Sequence, residues 1–312
     1  MPNPQEPLFI VGSQRSGTTL LRIMLDHHSQ IACPHELDYA VARVSDRGEW
    51  PDLDAYHRFL ETNGSFRRSG LHLDRSLDYP TLMQDLLVQH QGSKPIISMS
   101  VHEGFHRLPF LWPGARYVHL LRDPRDVARS VVQMEWATHT WGGAGYWLEA
   151  ERDWDRLTER VDASSRIEVT YEALVREPER TLTRICTHLG VEFEPGMLDY
   201  AGDTSYERPR PELAEQWRRR ASDRDVQLVE ARLGELLTER GYTASGLPSL
   251  PVGDALRRRL QRDDRLGRIR LRIRRQGPML FVADYLARKL HLRWLELRTR
   301  KRILESRREF VR

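Results

Sequence analysis

The first apolar run, Leu8-Phe9-Ile10-Val11, contains no polar residue and stops at Gly12, a pattern that predicts a strand buried on both faces of a parallel sheet. From Thr18 the spacing changes. Leu21, Met24 and Leu25 recur on one helical face, so a strand, a glycine-bearing loop and a helix follow in order. Gln30 to Cys33 predicts a second short strand stopped by Pro34, with His35 and Glu36 at its carboxyl end, the edge where open α/β sheets bind ligands. Residues 38–92 read as mostly helical, with breaks near Asn63-Gly64 and at Gly70. Ile96 to Met99 predicts a third strand. Arg116 to Leu121 predicts a fourth, after which Asp123 as N-cap and Pro124 in the first turn start a helix through Val127 to Trp136. Ile167 to Thr170 predicts a fifth strand, followed by a helix through Leu182 to Leu189 that closes at Gly190. This alternation implies an α/β fold, a three-layer structure with a parallel sheet covered by helices on both faces.

Beyond Gly241 the pattern changes. Residues 246–253 have linker composition, and Arg-rich amphipathic helices broken at Gly277-Pro278 follow, which divides the chain into a domain over 1–245 and a helical extension over 246–312. The charge divides at almost the same place. The last 62 residues carry 20 Lys or Arg against 7 Asp or Glu, so a formal charge of +4 combines an acidic body with a very basic end. Three partners stay open for that end: the acidic body itself, an anionic membrane surface around Leu280 to Trp294, or a polyanion; no specific nucleic acid is expected. Met1 to Pro7 lacks the apolar stretch of a signal peptide, and Pro278 to Ala287, the best apolar run, is short and contains Asp284. The expectation is a cytoplasmic protein, peripheral at a membrane if the extension docks there. Cys33 and Cys186 match no paired zinc spacing, so metal-free chemistry and reduced thiols are expected. His102 and His106 are spaced for one helical face but have no third ligand in register.

The loop Gly12-Ser-Gln-Arg-Ser-Gly17-Thr18-Thr19 lies between a buried strand and a helix, where backbone N–H groups and the helix dipole favour an anion. It nearly fits the nucleoside-triphosphate loop, but Thr18 stands at the lysine position that a kinase or NTPase uses on its phosphates. Arg15 is the cation available instead. The loop resembles the 5′-phosphosulfate loop of sulfotransferases that use 3′-phosphoadenosine 5′-phosphosulfate. The stretch Leu120-Leu121-Arg122-Asp-Pro-Arg-Asp-Val-Ala-Arg-Ser130 looks like the same family's 3′-phosphate strand and helix. Tyr171-Glu172-Ala173-Leu174 and Gln216-Trp217-Arg218-Arg219 resemble two further segments of that family, so the likeness spans residues 8–242.

The resemblance, to the carbohydrate and tyrosylprotein branch and to a bacterial member of it, implies a P-loop-like architecture and metal-independent sulfonate transfer to a hydroxyl acceptor. It implies donor contacts from Gly12, Arg15, Ser16, Gly17, Thr18, Thr19, Arg122, Ser130, Tyr171, Arg208 and Trp217. Glu36 is the implied base, with His35 its rival, and Arg15 the charge at the leaving oxygen. One departure stands out: Ser98 occupies the place where many relatives carry a lysine, which leaves open whether His102 compensates, Arg15 acts alone or the enzyme is slow. Carbohydrate, lipid, small metabolite and, less favoured, protein tyrosine all remain as acceptors, with specificity expected in residues 38–92 and 133–150. The alternatives are a P-loop kinase-like phosphotransferase and a catalytically inactive nucleotide or polyanion binder.

Overall fold

The computed structural model describes residues 6–202, 209–290 and 292–310. Five parallel strands, β1 (Leu8–Val11), β2 (Ile31–Ala32), β3 (Ile96–Val101), β4 (Arg116–Leu121) and β5 (Arg166–Thr170), form one sheet in the order β2-β3-β1-β4-β5. The predicted strands are all present. β2 is shorter than expected, and β3 extends two residues further because Val101 pairs with Val11. β1 occupies the middle, with its four residues wholly buried.

Side-chain alternation along β1 sorts the helices into layers. Leu8 and Ile10 pack in the cluster that holds Leu21 and Met24 of α1 (Thr18–Asp26). Phe9 and Val11 pack in the opposite cluster, with Tyr56 and Leu60 of α2 (Leu53–Thr62). Next in the chain are α3 (Gly64–Ser69), α4 (Tyr79–Gln91) and α5 (Leu108–Leu111), whose Phe66, Leu86 and Leu108 belong to the same cluster as α2. After β4 come α6 (Pro124–Gln133) and α7 (Thr140–Thr158), and after β5 come α8 (Tyr171–Arg176) and α9 (Pro178–Leu189). α8 and α9 join α1 on its face through Leu174, Leu182 and Ile185. Asp123 caps α6, its side chain accepting from the Arg125 N–H, with Pro124 in the first turn; Gly190 closes α9 in the left-handed conformation. Both features match the expectation. Cys33 and Cys186 are buried free thiols, and burial pushes the Cys33 thiol up to about 12.

Three short elements complete the body: α10 (Trp217–Arg220), α11 (Asp223–Leu233) and α12 (Leu236–Glu239). Val229 and Leu233 of α11 pack with Val127 and Val131 of α6 and Trp147 of α7 in a third cluster. Residues 246–253 carry no helix or strand, and α13 (Asp254–Gln276), α14 (Pro278–Lys289) and α15 (Arg293–Phe310) follow. α13 docks on the body through buried Asp264, whose carboxylate accepts from the Thr138 backbone N–H at 2.9 Å and its hydroxyl at 3.1 Å. α15 returns to α2, where Arg300 donates to Thr62 Oγ1 at 2.8 Å.

Beneath the carboxyl edge, a polar network centred on buried His119 and Glu151 joins β4, β5, α7 and the end of α12. His119 of β4 lies 2.8 Å from Glu168 and 3.2 Å from Glu151, stacked at 4.3 Å on Trp154. Arg240 donates to Glu151 at 2.7 Å. Burial alone would keep this imidazole neutral, but the two carboxylates outweigh it and hold its pKa at about 9. The network therefore stabilises the fold fully below the unfolded histidine value near 6.5, and the contribution is lost as pH rises through about 9. The thermal midpoint should fall across that interval, and a His119→Gln variant, though less stable overall, should lack this slope in calorimetric melts; an equal slope in both would refute the assignment.

Candidate active site

Gly12 leaves β1 at φ +146°, and a Cβ there would lie 2.5 Å from the carbonyl oxygen of Leu120, so only glycine lets β1 run this close to β4. Arg15, at the apex of the loop, holds a positive φ of 72°, an uncommon state for a residue with a side chain. Gly17, at φ +96°, lies under the Tyr171 ring, where a Cβ would meet a ring carbon at 2.3 Å. It is also the N-cap of α1 and supplies no side chain to the first-turn N–H groups, which leaves them and the positive end of the dipole directed at the loop.

Two sequence motifs 115 residues apart meet here. Arg15 Nε donates to Ser130 Oγ at 3.0 Å, and Arg122 donates to the Arg15 carbonyl at 3.0 Å. The Arg122 guanidinium also lies 4.1 Å from the Tyr171 ring centroid. Arg15, Ser130, Arg122 and Tyr171 are thus one constellation, together with buried Ser16 and Thr18 and half-buried Thr19. Among the described residues, its buried Ser16 Oγ, Arg122 Nε and Arg129 Nε have no hydrogen-bond partner. Arg129 escaped the sequence reading. Burial, opposed by Asp126 and reinforced by Arg220 and Arg122, lowers its pKa below the ordinary arginine value.

Trp217 stands behind this constellation. Its indole N–H donates to Asp123 at 2.9 Å and its backbone N–H to Asp126 at 2.7 Å, and the Arg125 guanidinium lies 3.7 Å from the ring centroid. Arg125 in turn grips Asp123 through two bonds of 2.9 and 2.7 Å. Glu172 accepts the Asp123 N–H at 3.0 Å, which ties the Tyr-Glu segment to the turn that carries Arg122. These contacts give Trp217, Asp123 and Glu172 the task of fixing the turn. Arg208 lies outside the described residues.

On the other side of the loop is a second group. His102 Nε2 lies 2.9 Å from Thr18 Oγ1, and His102 Nδ1 lies 3.2 Å from Asp38, whose other oxygen accepts the His102 and Glu103 backbone N–H groups at 2.7 and 3.1 Å. Burial opposes the charged form of His102, but Asp38 outweighs it, with Glu36 and Glu103 adding, so its pKa is raised above the ordinary histidine value. Glu36, exposed at the carboxyl edge and bridged to Ser100, offers a carboxylate oxygen within 4.8 Å of donor atoms of both Asp38 and His102. All three could ligate a metal by type. Here, however, both His102 ring nitrogens and both Asp38 oxygens already face protein partners. His35 turns the other way, its ring 5.3 Å from that of His90.

The register also explains the absent lysine. Ser98 is buried in mid-strand opposite Leu8, too deep to reach the loop. The residue that follows the Val11–Val101 pair on β3 is His102, so the edge position belongs to it. His102 and His106 do not share a helical face: one ends a strand, and the other lies in a 3₁₀ turn between Asp46 at 2.9 Å and Asp153 at 2.7 Å. A cavity of about 290 Å³ opens beside the loop, lined by Gln14, His102, Glu103, Tyr146, Glu149 and Asp153 among others. Of the stretches expected to set specificity, 133–150 contributes to its wall and 38–92 does not. Within 133–150, Trp147 is wholly buried in the α6 and α7 core, whereas Tyr146 reaches the cavity.

Comparison with known proteins agrees with this geometry. The chain is 24% identical over 203 residues to protein-tyrosine sulfotransferase A of Caenorhabditis elegans, covering 62% of this chain and 52% of that protein. It thus spans about half the length of the tyrosylprotein relatives it matches. It is 27% identical over 299 residues to the omega-hydroxy-beta-dihydromenaquinone-9 sulfotransferase of Mycobacterium bovis, covering 76% of this chain and 75% of that one. The fold matches the sulfotransferase domain of the Synechococcus PCC 7002 olefin synthase, with a TM-score of 0.54 at 24% identity, over 74% of this chain and 95% of the domain. Residues 7–195 match the profile described as the Sulfotransferase family, and with more than half of its length matched, the chain belongs to that family.

Proposed function

We propose that the chain transfers a sulfonate group from 3′-phosphoadenosine 5′-phosphosulfate to a hydroxyl acceptor without a metal. The observation that carries this is the Arg15–Ser130 hydrogen bond, which unites the loop after β1 with the helix after β4. Around it, Ser16 Oγ, Arg122 Nε and Arg129 Nε are buried without partners among the described residues, and the first turn of α1 has no side-chain cap. A ligand with two separated phosphate groups fits such a set: one against α1, Arg15, Ser16, Thr18 and Thr19, the other against Arg122, Arg129 and Ser130.

The donor brings the sulfonate; the residues bring charge and a base. Glu36 stands on the His102 side of the loop and accepts the proton of the acceptor hydroxyl as the new S–O bond forms. The bond from sulfur to the phosphate oxygen breaks in the same displacement. Arg15 and the α1 amides take up the charge on the departing oxygen. In its protonated form, which Asp38 favours, His102 donates to Thr18 Oγ1 and leaves that hydroxyl's proton free to point at the anion. The acceptor is a hydroxyl compound. The relatives' names include a protein tyrosine and a hydroxylated menaquinone. The kinase-like alternative is not favoured, because Thr18 stands at the lysine position and is engaged by His102.

Calorimetric titration with 3′-phosphoadenosine 5′-phosphate in EDTA should show binding that ATP does not match, and Arg122→Ala should weaken it by about 1.5 to 3 kcal/mol. Equal binding of ATP would overturn the reading. Glu36→Gln should lower the turnover rate about a hundredfold to ten-thousandfold while leaving bisphosphate affinity intact; an unchanged rate would remove Glu36 as base. Bisphosphate affinity should fall as pH rises through the raised pKa of His102, and His102→Asn should flatten that profile in titrations from about pH 6 to about 9.

A further inference from the structure

The extension carries an exposed apolar stripe that no other part of the chain covers among the described residues. Met279, Val282 and Leu286 of α14 and Leu290 at its C-cap recur at spacings of three, four and four, which places them on one helix face. Met279 is 86% exposed and the other three lie between 42% and 59%. Just beyond, Trp294 at the start of α15 is 64% exposed. Beside the stripe, Ala287 is wholly buried, so one flank of α14 is held against its neighbours while the stripe is displayed outward.

The surroundings are cationic. Residues 254–290 hold 12 Lys or Arg against 4 Asp and no Glu. Arg272, Arg274, Arg288 and Lys289 are exposed on α13 and α14, Arg288 paired with Asp284 at 2.7 Å and Lys289 6.0 Å from the Tyr285 ring. The stripe is also fixed in place. α13 is anchored at Thr138 through Asp264, and α15 at Thr62 through Arg300. No helix among the described residues is long and apolar enough to cross a membrane.

We propose that α14 and the start of α15 dock the protein on an anionic lipid bilayer. Apolar side chains and a tryptophan enter the interface while the flanking arginines meet lipid phosphates. A polyanion in solution would use the arginines alone and would leave the apolar stripe without a role. The docking does not depend on the transfer chemistry; that the acceptor hydroxyl is presented at the bilayer rests on the sulfonate-transfer reading.

The test is flotation of the full chain with vesicles of phosphatidylcholine containing about 30% phosphatidylglycerol, beside vesicles of phosphatidylcholine alone. The chain should partition at least about tenfold more onto the anionic vesicles, and roughly 0.5 M salt should weaken that binding. The double variant Val282→Asp and Leu286→Asp should lose about tenfold or more of it, with its melting curve and its bisphosphate affinity unchanged. Absence of flotation, or equal flotation of the variant, would overturn the inference. A dimer in light scattering that the double variant dissolves, without vesicle binding, would assign the face to a second copy. Retained bisphosphate binding with no flotation would sink the docking alone, and the converse would sink the transfer reading alone.

Discussion

The contact of Gly12 with the Leu120 carbonyl governs the site. A side chain at Gly12 would come within 2.5 Å of that oxygen and push β1 away from β4. Because the backbones stay close, the loop after β1 and the turn after β4 leave the sheet side by side, and Arg122 reaches the Arg15 carbonyl. Arg15 then spans to Ser130. Each contact needs the previous one, since a guanidinium selects an acceptor only when the backbone holds both within hydrogen-bond reach.

Gathering arginines in one place costs free energy through repulsion and desolvation, and the structure offsets this on the side away from the loop. Asp123, Asp126 and Glu172 are all buried and lie behind Arg122 and Arg125, and Trp217 donates to both aspartates. Burial raises the pKa of Asp126 and Glu172 above the ordinary carboxylate value, while backbone N–H donors oppose the shift. Among the described residues, the front of the cluster keeps unpartnered nitrogens on Arg122 and Arg129. Acids at the back orient the cations, and the front stays positive toward a ligand. The same separation appears at larger scale, with an acidic body and a basic helical extension.

The relation of His102 to its neighbours shows how a local motif misleads. Counting along the sequence placed the absent lysine at Ser98, yet pairing with β1 sets that residue at Leu8, in the sheet interior. His102 emerges level with the loop instead, and Asp38, from a short turn after β2, raises its pKa. Asp38 carried no sequence signal beyond being a carboxylate two residues from Glu36. His35 and Glu36, adjacent in sequence, diverge in space because Pro34 ends β2 and the Glu36–Ser100 bridge turns the chain.

The sequence by itself determined the five strands, the glycine loop, the capped start of α6, the division of charge and the two motifs that carry Arg15, Arg122 and Ser130. These features depend on neighbours within a few residues: unbroken apolar runs, an aspartate before a proline, a glycine where φ is positive. Tertiary structure alone decided which carboxylate joins His102, that Arg129 belongs to the cationic cluster, that Trp217 anchors aspartates, and that His119 is held charged between two glutamates. It also decided that the apolar face of α14 looks outward, a choice the amphipathic pattern leaves open. Such facts depend on strand register and on the docking of distant helices, and a one-residue shift in register sends every side chain of a strand to the other face.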